Sequence, residues 1–272
     1  MKPMPTAVQL TERPPQPAEK PAKKRVEILD ILRGLGILYV VLYHVLYDIQ
    51  YMFFPSADCG IFELDSLFMR FTHILFVGGL LFFVSGICTG FSRSVAKRGL
   101  FLLALGELLT LGTYIFAPDL LIRFGVMTFF GASMLIYAAL RPLLSKIGGI
   151  PLAVIWLALF FIFRTMPYDD CIRLPFLTLN IPETLHSCKF LYPLGITYKG
   201  FHSADYFPLI PYIFLFLSGT ALSPIIVSHR DDMPARCMKR LPFLSFCGRH
   251  SLVIYFAHQP IAFGILYILS KI

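Results

Sequence analysis

The sequence predicts an all-α, polytopic helical membrane protein with about seven transmembrane helices and its N-terminus inside. Three observations lead there. Apolar residues make up 57% of the 272-residue chain and charged residues 15%, against about a quarter charged in soluble domains, so polar side chains are too few to cover a water-soluble globule. The apolar residues fall in continuous runs of about twenty, the length that crosses a bilayer. Lys and Arg are distributed unequally between alternate connecting segments, which sets an orientation.

The runs are 30–51, 71–91, 99–116, 124–140, 147–163, 207–227 and 251–269. No water is present in the hydrocarbon core, so backbone groups must pair within each segment and each run is read as a helix. Barrel strands would alternate in short stretches, which these do not. With the N-terminus inside, the cytoplasmic segments hold 16 of the 24 Lys and Arg residues and the outer ones 7, while Arg33 lies within the first run. An odd number of crossings then leaves the C-terminus outside.

Residues 1–25 are rich in Pro, Lys, Arg and Glu and read as a disordered cytoplasmic tail. No apolar core with a small-residue cleavage site follows their charges, so they are not read as a secretory signal. Residues 26–272 read as one transmembrane domain. Two connections are more than turns. The segment 164–206 is long, contains prolines and lies outside; its Cys171 and Cys188 are open either to pairing in an oxidising compartment or to remaining thiols. The segment 236–248 is a cytoplasmic approach to the last helix. Gly86 and Gly90 read as a close helix–helix contact. The chain has no internal repeat, glycine-rich phosphate loop or zinc-type cysteine spacing, so neither a metal site nor a nucleic-acid partner is expected.

Ionisable residues at membrane depth are costly and therefore functional candidates. In the first helix Asp30, Arg33, Ile37, Val41, His44 and Asp48 recur at steps of three or four and share a face. Arg33 and His44 stand about 16 Å apart along the axis, close to three full turns. His44 can take a proton from an acceptor nucleophile, with Asp48 one turn on holding its other ring nitrogen. Arg33 can pair with a phosphate or with Asp30. The plainer reading is a histidine bonded to a neighbouring helix and an arginine marking the membrane edge. The last helix offers Tyr255, His258 and Gln259 before Pro260, either lining the same cavity or serving a proline-deformed helix. Arg249 and His250 just before it can hold a polyanion at the cytoplasmic mouth. On the outer side His73, Arg123 and Asp205 sit at or near helix ends, where they contact an acceptor or mark the interface. Glu107 needs a partner that the sequence does not name, and Ser85 and Thr128 read as packing residues.

The segment Ile28-Leu29-Asp30-Ile31-Leu32-Arg33-Gly34-Leu35-Gly36, continued through His44 and Asp48, resembles the first helix of the heparan-α-glucosaminide N-acetyltransferase catalytic-domain family in its small bacterial form. The Arg33-to-His44 spacing is similar to the arginine–histidine pair of the wider transmembrane acyltransferase superfamily. Phe83-Val84-Ser85-Gly86, Arg123-Phe124-Gly125-Val126, Asp205-Tyr206-Phe207-Pro208-Leu209-Ile210-Pro211 and the stretch from Gly248-Arg249-His250-Ser251 to His258-Gln259-Pro260 match in the family's order. The resemblance implies a membrane acyltransferase with acetyl-CoA or another acyl-CoA as donor from the cytoplasm and no permanently bound cofactor. It implies a glycan or lipid-linked acceptor met at the far side, His44 as the catalytic histidine and Arg33 as its partner. A bacterial plasma membrane is the expected location, and a homodimer is left open. Thr128 departs from the pattern, standing where relatives often carry His. The competing readings are a transporter or flippase for a small polar or lipid-linked molecule, and an inactive relative acting as a scaffold. Paired broken helices in two related halves, the more usual mark of a transporter, are not found.

Overall fold

The computed structural model describes residues 26–144, 146–174, 176–230 and 241–272. The predictions for the tail 1–25 and for residues 236–240 lie outside the described residues. Among the described residues, seven helices are long and apolar enough to cross a membrane: α1 Glu27–Phe53, α2 Leu67–Phe91, α3 Val95–Phe116, α4 Val126–Leu144, α5 Ile150–Asp169, α6 Leu209–Ser228 and, as the last, Ser251–Leu269. A shorter helix, α7, spans Pro242–Arg249 before that last one, which is α8. The protein is an integral membrane protein of the predicted all-α class.

Most boundaries fall within a few residues of the hydropathic runs, and the differences have local causes. Helices α2 and α3 begin four residues before their apolar runs because Ser66 and Ser94 cap them, accepting hydrogen bonds from Met69 N and Lys97 N. Helix α4 starts later than its run because Phe124 takes a left-handed backbone, φ 54°, which a helix cannot include. In two places the helical pitch widens to a π form, Asp48–Phe53 in α1 and Ile74–Phe83 in α2. Such turns are uncommon and recur beside functional sites; here they follow Tyr47 and His73 directly.

Helix α6 is central, with 56% of its apolar window buried within the chain, and α3 is peripheral, with 11%. Leu100, Leu108 and Phe116 on α3, Val154 and Phe161 on α5, and Ile261 and Ile265 on α8 are exposed. Together they form the apolar belt that faces lipid; on a soluble monomer a patch of this extent would be anomalous. The core is aromatic, with one fully buried ring from each of α2, α4 and α6: Phe82, Phe129 and Phe216. The centroids of the first two lie 4.5 Å apart.

Glycines set the closest helix crossings. A Cβ on Gly86 of α2 would overlap Phe216 O of α6, and one on Gly219 of α6 would overlap Phe83 O of α2. Ser223 Oγ completes this crossing by donating to Ile87 O at 2.6 Å and accepting from Gly90 N at 3.0 Å. The packing reading of Gly86 and Gly90 therefore matches the structure. A second crossing joins α1 to α7, where Gly34 meets Leu244 O and Gly248 meets Asp30 O. Helices α1 and α8 run side by side in the same direction, so the starts of both lie at one end of the bundle.

The long connection after α5 contains a hairpin that the hydropathic pattern does not show. Strands β1 Cys171–Leu174 and β2 Leu177–Asn180 form an antiparallel hairpin in which Ile172 pairs with Leu179 and Leu174 with Leu177. Cys171 is buried, Cys188 is exposed and both are free thiols.

Candidate active site

A cavity of about 480 Å³ lies between α1, α2, α3, α4 and α8, closed on one side by residues 204–207. Arg33 of α1 and Arg98 of α3 reach its wall at the end where α1 begins, together with Ser92 and Ser251. Tyr43, His44, His73 and Asp205 reach the wall farther along. Arg33 and His44 both belong to it, so the chamber extends over about 16 Å of α1.

Helix geometry fixes the tautomer of His44. Its side chain leans back along α1, as helical side chains do, and Nδ1 lies 2.9 Å from Val40 O. A carbonyl can only accept, so Nδ1 carries the hydrogen and the neutral ring leaves Nε2 as a bare lone pair. Nε2 makes no hydrogen bond among the described residues.

The expected contact between Asp48 and His44 is not formed. The backward lean carries the imidazole toward Val40 and away from Asp48, and the pitch widens at Asp48. The fully buried Asp48 instead accepts from Gln259 Nε2 at 3.0 Å on each carboxylate oxygen. Orientation of the ring falls to the α1 backbone, and Asp48 serves to tie α1 to α8.

Other groups on α8 act at matching heights. Arg33 Nη2 donates to Ser251 Oγ at 2.8 Å, and no ion pair joins Arg33 to Asp30 among the described residues. The His258 ring stands edge-on to His44 with centroids 4.9 Å apart, holds Tyr255 O through Nδ1 at 2.6 Å, and keeps a buried Nε2 with no partner among the described residues. Tyr255 donates to Asp205 Oδ2 at 2.8 Å, and Val126 N donates to the same oxygen at 3.2 Å. His73 stacks on Phe207 at 6.1 Å, leans on Tyr43 at 4.7 Å, and has a buried Nδ1 without a partner.

Of the residues singled out in the sequence, Arg33, His44, His73, Asp205 and Tyr255 therefore share the cavity wall. Asp48, His258 and Gln259 pack beside His44 and its helix without reaching the wall. Arg123, Arg249 and His250 are not brought to it. Arg123 donates to Tyr198 OH at 2.9 Å, bracing the turn before α4. The α1–α7 crossing turns Ser245, Cys247 and Gly248 inward and leaves Arg249 and His250 exposed; they bond Ser245 Oγ and Phe246 O of their own helix. Thr128 also lies off the wall, on the opposite face of α4 from Met127, Phe130 and Met134. It donates to Glu107 at 3.4 Å, giving that carboxylate the partner it needed.

Arg98, Tyr43, Tyr168 and Tyr206 line the cavity without having been singled out. Arg98 follows Arg93 and Lys97 and reads as part of an ordinary positive-inside cluster. Tyr43 is an aromatic residue in an apolar run and Tyr168 lies just beyond one, neither with a polar periodicity to mark it. Tyr206 belongs to the Asp205 stretch; it donates to Tyr192 O, and burial pushes its phenol above the ordinary range. Ser85, read as packing, is also in the wall.

The Asp48–Gln259 pair yields a stability prediction. Gln259→Leu leaves a buried carboxylate without its donor and is expected to cost about 2 kcal/mol. It should appear as a lowered unfolding temperature of the detergent-solubilised protein, with Gln259→Glu no less damaging because it opposes two carboxyls.

A many-pass helical membrane protein with polar side chains converging on a chamber inside the bundle is of the class that acts on substrates at membrane depth, enzymes and transporters alike. The sequence resolves which. Residues 25–260 match the profile of the family described as heparan-alpha-glucosaminide N-acetyltransferase, catalytic, and the chain belongs to that family. It is thus a member of a membrane acyltransferase family. No curated protein and no solved structure matches it significantly.

Proposed function

We propose that the protein transfers an acyl group, most simply acetyl, from acyl-CoA to a hydroxyl or amine of a glycan or lipid-linked acceptor, with His44 as the base. The observation that carries this reading is the fixed tautomer of His44: a bare Nε2 in the wall of a chamber whose other end presents two guanidinium groups. Arg33 and Arg98 suit the phosphates of the donor. A donor held there extends its thioester arm along the chamber toward His44. Nε2 takes the proton of the acceptor hydroxyl or amine as its oxygen or nitrogen attacks the thioester carbonyl. The carbon–sulfur bond breaks, and the imidazolium returns the proton to the departing thiolate. Asp205 and His73 stand where they can hydrogen-bond the acceptor.

The distribution of Lys and Arg supports a cytoplasmic N-terminus, which turns the arginine end of the chamber toward cytoplasmic acyl-CoA, with the acceptor on the far side. A bacterial plasma membrane is the setting that the small form of the family suggests.

The test is reconstitution with acetyl-CoA labelled in the acetyl group. Label should pass to glycan or lipid extract supplied at the far side, with one free thiol released per group transferred. Accumulation of an intact solute inside vesicles, with no thiol released, would replace this reading with the transporter one. Folded protein that fails to bind acetyl-CoA would end it.

A further inference from the structure

The β1–β2 hairpin has two unlike faces. Side chains alternate along a strand, and the register places Ile172, Leu174, Leu177 and Leu179 on one side. Cys171, Arg173, Thr178 and Asn180 occupy the other. The polar side is engaged at its base: Arg173 pairs with Asp169 at 2.8 Å, and Thr165 Oγ1 donates to Cys171 O at 3.1 Å. These contacts fix the hairpin to the end of α5. The apolar side is half-buried along β1, at Ile172 and Leu174, and open along β2. Leu177 and Leu179 are 53% and 46% exposed, and Phe176 at the tip is fully exposed.

We propose that this hairpin is a lipid-binding element that lies with its apolar face in the headgroup–acyl boundary of the leaflet next to it. The occupant follows from continuity. The hairpin begins two residues after α5, a helix whose exposed Val154, Leu157 and Phe161 belong to the lipid-facing belt. It therefore starts at the level where that belt ends. Tyr168, in the last turn of α5, suits the headgroup level. The apolar face carries no charge that would oppose insertion.

The element also bears on the chamber. Tyr168 is part of the cavity wall and donates to or accepts from Tyr212 OH at 2.7 Å. The chamber thus has a wall residue three positions from an element resting in lipid. An amphiphilic molecule lying in that leaflet reaches this side of the chamber along the membrane plane.

Fluorescence tests the proposal on the full chain. The protein has one tryptophan, Trp156, whose Nε1 makes no hydrogen bond among the described residues and whose ring stacks on Phe214. Trp156→Phe therefore removes the native signal with little structural loss. In that background Phe176→Trp reports on the hairpin tip and Phe161→Trp on the lipid-facing belt. In phosphatidylcholine vesicles with brominated acyl chains, both emissions should be quenched, the first more strongly by bromines near the headgroup. Unquenched emission from the tip, with the Phe161→Trp control quenched, overturns the proposal. So does protection of the tip that grows with protein-to-lipid ratio, which marks a second copy as the occupant.

Discussion

Replacing His44 with alanine is expected to lower acyl transfer by roughly a thousandfold, the middle of the range for loss of a positioned general base, while the protein still inserts and still binds acyl-CoA. The separation follows from geometry. In the proposed arrangement the donor's charged end meets Arg33 and Arg98, and the imidazole stands about 16 Å along α1 from that end. A loss confined to kcat marks a group acting on the reacting atoms, whereas Arg33→Ala should chiefly raise the KM for acyl-CoA. Labelled-acetyl transfer measured beside equilibrium binding distinguishes the two. Full transfer by His44→Ala would remove the base from the mechanism, and loss of donor binding by the same variant would recast His44 as part of the donor subsite.

The largest effect on stability is expected at Gly248. A side chain there would meet Asp30 O and Cα, and one on the opposing Gly34 would meet Leu244 O and Gly248 N, so the two helices cross with no room for a Cβ on either side. Gly248→Val should cost about 3 kcal/mol, the upper part of the usual range for overpacking, and should lower both the yield of folded protein and its unfolding temperature. Gly264, also helical, has no atom within 4 Å of a would-be Cβ; Gly264→Val is the control and should be near neutral. Equal behaviour of the two variants in a thermal-shift assay would contradict the close α1–α7 crossing.

The helices were legible because bilayer length and hydropathy act on each run separately. The run 251–269 coincides with α8, and the starts of α2, α3 and α4 moved for reasons of capping or a single left-handed residue. The stripe on α1 was legible for the same reason: a period of 3.6 residues belongs to one helix. What no period contains is the register between helices. Nothing in the spacing of Asp48 and His44 reveals that Gln259, 211 residues downstream of Asp48, claims the carboxylate. Nor does it reveal that Arg98 turns inward while Arg249 turns out. The hairpin was hidden because strands of four residues are too short to stand out in a proline-containing connection.

The three ties between α1 and α8, Arg33 to Ser251, His44 beside His258 and Asp48 to Gln259, join helices more than 200 residues apart in the chain. The chamber's wall is therefore unfinished while earlier spans are already in the bilayer. A nascent chain carries its imidazole with no ring packed against it and its carboxylate with no amide. Completion of this side of the chamber therefore waits until α8 has been made, well after α1 has entered the bilayer.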